Sequence, residues 1–129
     1  MIVVDSSVWI DYFNGLPSTE TDILDGLLGS ELLAIGDVIL VETLQGFRSD
    51  SDFRKARQLL TSMPILPMLT PDRAIRCAER YRALRKRGMT VRKTIDAIIA
   101  SYCIDEDVYL LFADRDFTPF VEHFGLKTP

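Results

Sequence analysis

The apolar positions of this chain fall into short unbroken runs that alternate with longer segments in which apolar residues recur every three or four positions. Ile2-Val3-Val4 is too short for a helix and reads as a buried strand ending at Asp5. Val8, Trp9, Ile10, Tyr12 and Phe13 then predict a helix that Ser6 or Ser7 can cap and Asn14-Gly15 stops. Pro17 to about Leu28 reads as a second helix with Ile23, Leu24, Leu27 and Leu28 on its apolar face, and Leu32–Ile35 as a second strand. Gly36-Asp37 opens a third helix, with Asp37 as cap and Val38, Val41 and Leu44 facing inward, ended by Gly46. Phe53 to about Leu60 is helical, and Ile65-Leu66, between Pro64 and Pro67, suits a strand at a sheet edge.

Thr70-Pro71-Asp72 is a strong helix start, and that helix runs to Gly88. Ala74, Cys77, Ala78, Tyr81 and Leu84 share one face, while Arg73, Arg76, Arg80 and Arg87 share the opposite one. Thr94 to about Ile104 is a mostly buried helix with Ile95, Ile98, Ile99 and Tyr102 as its core stripe and Asp96 near its start. Val108–Leu111 is a fourth strand, Asp116–Val121 a short helical turn, and Leu126-Lys127 a small last strand. Short apolar strands alternating with helices imply an α/β fold: a three-layer sandwich whose central parallel sheet of four to five short strands is flanked by helices. No linker or repeat divides the chain, so residues 1–129 read as a single domain.

Composition narrows the function classes. A hydrophobic fraction of 47% and a charged fraction of 26% fit a globular protein with an ordinary core. No apolar run reaches the length of a membrane span, and the amino terminus lacks the pattern of a signal peptide, which points to the cytoplasm. Cys77 and Cys103 lie in apolar helical stretches and read as reduced core residues; with His123 as the one histidine, a zinc site is excluded. Net charge is −4, which argues against binding nucleic acid by bulk charge, yet nine of the fifteen Lys and Arg residues lie between Arg73 and Lys93. That arginine stripe is either a track for a nucleic-acid backbone or a solvated helix face. Trp9 and Phe13 read as core packing, and Asp105-Glu106-Asp107 as a solvated turn.

Five other acids stand where ligands bind in open α/β sheets, at the carboxyl ends of strands. Asp5 ends the first strand, Asp114 and Asp116 follow the fourth, Glu42 lies on the helix after the second, and Asp96 begins the helix before the fourth. Carboxylates gathered without a paired lysine repel one another, and a fold keeps such a group when a divalent cation neutralises it. Oxygen ligands alone favour Mg2+, with Mn2+ as substitute, over zinc. Such an ion activates water and stabilises charge on a phosphate.

The same residues carry a family resemblance. Val4-Asp5-Ser6-Ser7-Val8-Trp9-Ile10-Asp11, Val41-Glu42-Thr43-Leu44-Gln45-Gly46, Thr94-Ile95-Asp96-Ala97-Ile98-Ile99-Ala100 and Leu110-Leu111-Phe112-Ala113-Asp114-Arg115-Asp116-Phe117 resemble, in order and spacing, the four motifs of the VapC-like PIN-domain toxins. One departure is Phe112, where the family commonly has a Thr or Ser that helps orient the site. The resemblance implies a magnesium-dependent endoribonuclease, with Asp5, Glu42, Asp96 and Asp114 as its catalytic acids. It also implies a homodimer, and a hetero-oligomer with a VapB-type antitoxin whose tail blocks the acidic cleft, often with an arginine. In this reading Asp5 and Asp96 hold the principal ion, Asp114 and Asp116 add ligands, and Glu42 orients the attacking water. Arg48 and Arg115 are the candidates for substrate phosphates. The alternatives are a magnesium-dependent phosphatase and a non-catalytic binding or phospho-receiver-like module. The first lacks the paired aspartate after strand one, and the second would need its lysine at the poorly placed Lys127.

Overall fold

Strands that are apolar throughout need cover on both faces, and the computed structural model, which describes residues 1–129, provides it. β1 (Ile2–Val4), β2 (Leu33–Gly36), β3 (Ile65–Leu66) and β4 (Tyr109–Leu111) form a four-stranded sheet in the order β3-β2-β1-β4. Every pairing is parallel, with Val3 opposite Ala34 on one side and Leu110 on the other. β2 is buried along its whole length, while Ile65 on edge strand β3 is exposed.

Two crossovers step from β1 to β2 and on to β3, and the third returns across the sheet to β4. Right-handed crossovers that step in opposite directions place their helices on opposite faces. The packing follows: α1 (Ser6–Phe13), α2 (Thr19–Leu27), α3 (Asp37–Leu44) and α4 (Asp50–Leu60) contact one another, as do α5 (Pro71–Lys86) and α6 (Thr94–Asp105). A 3₁₀ turn (Arg115–Phe117) and α7 (Thr118–Phe124) close the chain. A cluster of 22 buried residues joins β1, β2 and β4 to all seven helices. Because β2 and β4 lie on opposite sides of β1, the chain changes direction there, and the crevice at the carboxyl ends of β1 and β4 is the switch point.

Local chemistry differs from the sequence expectation at several places. Asp5, not Ser6 or Ser7, caps α1: its Oδ2 accepts the Ser7 amide at 3.0 Å. Gly36, not Asp37, is the cap position of α3, and Asp37 accepts from the amides of Val38 and Met68. A Cβ at Gly36 would overlap the end of the buried Met68 side chain, which would have to shift to admit it. α3 turns Ile39 and Thr43 fully inward, and Val41 is exposed. Leu126-Lys127 adds one backbone bond, from the Leu110 amide to the Lys127 carbonyl, and no fifth strand forms.

The arginine face of α5 is the largest difference. Arg73 is buried, and Asp105, expected in a solvated turn, binds three arginines. Its Oδ2 accepts from Arg73 at 3.2 Å and Arg76 at 3.1 Å, and its Oδ1 from Arg80 at 2.6 Å. Arg73 also donates to Glu106 at 2.6 Å and to the Met68 carbonyl at 3.1 Å, and lies 4.7 Å from the Tyr102 ring centroid. Counter-charge and an aromatic face make Arg73 cheap to bury, whereas Ala74 and Ala78 are left exposed. Burial opposes ionisation of Asp105, but hydrogen bonds from Arg80, Arg76 and Arg73 outweigh it and hold the carboxyl below its ordinary value. A depressed folded-state pKa adds stability that is present above the unfolded value and lost as pH falls through the folded one. Asp105→Asn is therefore expected to lower unfolding free energy by about 3 kcal/mol, measured by urea denaturation at pH 7, with the deficit against wild type shrinking below about pH 4.

Candidate active site

Each acid reaches the switch-point crevice from a different element. Asp5 continues β1, and its amide donates to the Leu111 carbonyl at 2.8 Å, which ties it to β4. It is 2% exposed because its neighbours along the chain are buried on both sides. Ser7 Oγ donates to Asp5 Oδ2 at 2.6 Å and accepts the Ala113 amide at 3.1 Å, so one hydroxyl links the first acid to the segment carrying Asp114. Glu42 rises from the middle of α3, where Ser6 Oγ donates to its Oε1 at 3.1 Å. Asp96 sits in the first turn of α6 and is likewise 2% exposed. Asp114 caps the 3₁₀ turn by accepting the Asp116 amide at 2.9 Å.

These acids feel one another. Burial is the main cause that pushes Asp5 above its ordinary value; its Ser7 bonds pull it back and the charge on Asp114 adds to the rise. Glu42 is raised first by burial and then by Asp5. Asp96 is pushed up to about 7, again mainly by burial; Lys93 opposes the shift, while Asp5, Asp114 and Glu42 add to it. Carboxylate oxygens of Asp96, Asp114 and Asp116 all lie within 4.8 Å of one another.

The structure therefore gathers Asp5, Glu42, Asp96, Asp114 and Asp116 at one edge of the sheet. Arg115 is exposed between two of them. Arg48 instead lines a recess with Phe13, Phe47, Asp52 and Lys55, which contains none of the five acids. The apolar groove between α5 and α6, lined by residues such as Leu69, Ala78, Tyr81 and Ile98, is also separate from them.

Four residues of the site escaped the sequence reading in whole or part. Ser6 and Ser7 read from the sequence as helix caps and as part of the first family motif, without a role of their own, and in the fold each hydroxyl orients an acid. Lys93 and Arg92 were counted with the arginine stripe. In the fold Lys93 Nζ stands 3.4 Å from Asp114 Oδ2 and 4.0 Å from Asp96 Oδ2, and Arg92 pairs with Asp116 at 3.1 Å. The cluster thus has a paired lysine after all, brought in by the connection between α5 and α6.

One atom on each of the two most buried acids accepts no hydrogen bond: Asp5 Oδ1, and Asp96 Oδ2, which has only the Lys93 ammonium at 4.0 Å. Orphaned buried carboxylate oxygens are costly unless something binds them. Oxygen-only donors of this kind suit a hard divalent cation, and the site fits one. Cys103 is close enough to feel the Asp5 charge, and burial pushes its thiol up to about 12.

Relatives carry the same arrangement of elements. The sequence pattern of the PIN domain matches residues 2–120. A VapC ribonuclease of Mycobacterium bovis and ribonuclease VapC11 of Mycobacterium tuberculosis are each 33% identical over 91% of this chain and 89% of their own length. Among solved structures, VapBC2 from Rickettsia felis, bound to a DNA fragment from its promoter, is similar with a TM-score of 0.76 at 19% identity, covering 100% of this chain and 98% of that one. VapBC-1 from nontypeable Haemophilus influenzae is similar with a TM-score of 0.75 at 18% identity, covering 100% and 97%. The class defined by the fold is an α/β protein with a carboxylate cluster at the switch point of a parallel sheet. The chain belongs to the PIN domain family.

The raised Asp96 has a consequence for stability. A carboxyl with a folded pKa above its unfolded value costs stability once ionised: the cost is absent below about 4, grows as pH rises, and is complete above about 7. In chelator, Asp96→Asn is expected to melt higher than wild type at pH 8, by several degrees for a gain on the order of 2 kcal/mol. The difference should shrink toward pH 4, as calorimetry across that range would show. Ser7→Ala is expected to weaken Mn2+ binding about 10- to 100-fold through loss of the Asp5 orientation, read by isothermal titration at a fixed pH.

Proposed function

We propose that this chain is a metal-dependent endoribonuclease and the toxin of a VapBC-type toxin–antitoxin pair, with residues 1–129 acting as one PIN domain. Asp5, Glu42, Asp96 and Asp114 form the catalytic set, and Asp5, Asp96, Asp114 and Asp116 are the residues that would hold Mg2+, with Mn2+ as substitute. The observation that carries this reading is the pair of buried, unpartnered oxygens on Asp5 and Asp96 beside the Asp96–Asp114–Asp116 group. PIN-domain nucleases use divalent metal, and the 33%-identical relatives are named as ribonucleases.

When bound, the ion supplies charge neutralisation at the scissile phosphate and lowers the pKa of water. The chain's own residues do the positioning. Ser7 holds Asp5 in one orientation, and Asp5 in turn caps α1, so neither can rotate freely. Ser6 directs Glu42 toward the crevice, and burial together with Asp5 raises Glu42 so that it can take a proton from an attacking water. Arg115, exposed between Asp114 and Asp116, is the nearer of the two arginine candidates for a substrate phosphate. Arg48 belongs to the Phe13–Phe47 recess and is better placed to meet RNA away from the scissile bond, or a partner chain.

The partner is a VapB-type antitoxin, in keeping with the VapBC structures among those to which the chain is similar; a toxin homodimer belongs to the same proposal. A guanidinium already suits this edge, since Arg92 makes three hydrogen bonds to Asp116. No helix is long and apolar enough to cross a membrane. Both cysteines are free and buried, which supports a cytoplasmic site of action. The phosphatase and phospho-receiver readings are not favoured: the relatives are ribonucleases, and Lys127 is engaged with Asp107 at 2.7 Å.

The test is cleavage of RNA by the purified chain with Mg2+ or Mn2+. Activity is expected to vanish in EDTA and to fall at least about a hundredfold in Asp5→Asn and Asp96→Asn, since even outer-shell partners of a metal site cost 10- to 100-fold. Both variants should keep the wild-type circular dichroism spectrum. Undiminished cleavage in either would remove that residue from the site.

A further inference from the structure

The connection between α5 and α6 is built to aim two cations at the acids. Gly88 takes a left-handed turn (φ +78°) after α5, and Val91 plunges into the core at 3% exposure. Anchored by Val91, the backbone carries the next two residues along the carboxyl edge. Their side chains stay largely in solvent, 72% exposed for Arg92 and 55% for Lys93. Arg92 Nε donates to Asp116 Oδ1 at 3.3 Å and Oδ2 at 3.1 Å, and its Nη2 to Oδ1 at 3.1 Å. Lys93 Nζ lies 3.4 Å from Asp114 Oδ2 and 4.0 Å from Asp96 Oδ2. These three acids are the ones whose oxygens converge within 4.8 Å.

A divalent cation among those oxygens and the two monovalent side chains compete for the same lone pairs. The doubly charged ion has the stronger field, and long exposed side chains cost little to displace. The buried Val91 keeps the displaced groups beside the crevice. By contrast, Arg73, Arg76 and Arg80 are held by Asp105 and are not free to move. Resting on the nuclease reading above, we propose that Arg92 and Lys93 are exchangeable phosphate-positioning residues: they pair with Asp96, Asp114 and Asp116 until a divalent ion takes those oxygens, and then bind backbone phosphates of the RNA beside the scissile bond.

The two roles have opposite signs, which separates them from a structural one. Free-Mn2+ electron paramagnetic resonance titration is compared for wild type, Arg92→Ala, Lys93→Ala and the double variant. Mn2+ is expected to bind at least about threefold tighter in each single variant, because a competing positive charge is gone. RNA affinity is measured by fluorescence anisotropy with a labelled single-stranded oligoribonucleotide at saturating Mn2+ in the Glu42→Gln background, which removes the proton acceptor so that the strand is not cut and leaves the four metal-holding acids intact. It is expected to fall at least about fivefold, and the slope of log K against log salt to shrink by about 0.7 per residue removed. Lys93→Arg is expected to retain RNA affinity. Variants that bind Mn2+ no more tightly than wild type, or bind RNA as wild type does, would overturn the inference; loss of both affinities together would mark the loop as a structural clamp and overturn it equally. A wild-type chain that takes up no Mn2+ would overturn the nuclease reading itself, and this inference with it.

Discussion

Like charges held out of water at the junction of β1 and β4 are the constraint around which the rest of this molecule is arranged. Asp5 is buried because it prolongs a strand covered on both faces, and Asp96 because it opens a helix packed between the sheet and α5. Neither position offers solvent to stabilise a carboxylate, and each acid raises the next. The surrounding residues answer that repulsion in three ways. Ser6 and Ser7 donate hydroxyl protons, the 3₁₀ turn after Asp114 supplies an amide, and Arg92 and Lys93 bring positive charge from outside. Two buried oxygens, Asp5 Oδ1 and Asp96 Oδ2, still accept no hydrogen bond, and they are where a divalent cation has most to gain.

Helix α6 carries the contrast within a single element. At its first turn Asp96 has too little compensation and is pushed up to about 7; at its last residue Asp105 has three arginines and is held low. The amino-terminal acid costs stability once ionised, and the carboxy-terminal one restores it by pinning α6 to α5. This division explains why most of the arginine face of α5 is structural. The helix sets its cations against its neighbour, and those beside the acids come from the loop that follows.

Phe112 takes the place of the hydroxyl residue that VapC-like toxins commonly carry ahead of the fourth acid. Its ring packs on Phe117, with centroids 5.2 Å apart, and so helps seat the turn that carries Asp114 and Asp116. The link between this segment and Asp5 runs instead through Ser7 Oγ, which bridges the Asp5 carboxylate and the Ala113 amide. An orienting hydroxyl is thus retained at this junction, supplied from α1.

Much of the fold was legible in the sequence because its signals are local. An apolar run of three residues between polar ones has one stable use, a buried strand, and the cap at Thr70 and the left-handed Gly88 act within a turn of their own positions. The acids could be named because a strand-end aspartate and three further motifs recur at set spacings. Other features depend on pairings across the chain. The phase of α3 was ambiguous, since apolar residues at 38, 39, 40, 41 and 44 surround the helix, and packing chose Ile39 and Thr43. The burial of Arg73 depends on Asp105 and Glu106, more than thirty residues away, and the position of Lys93 beside Asp114 on the crossover that joins α5 to α6. Sequence by itself determined which residues become strands, helices and acids, because those follow from short-range sterics and hydrophobic periodicity. Tertiary structure alone decided which charge meets which, because Coulomb partners are chosen by distance in space and not by distance along the chain.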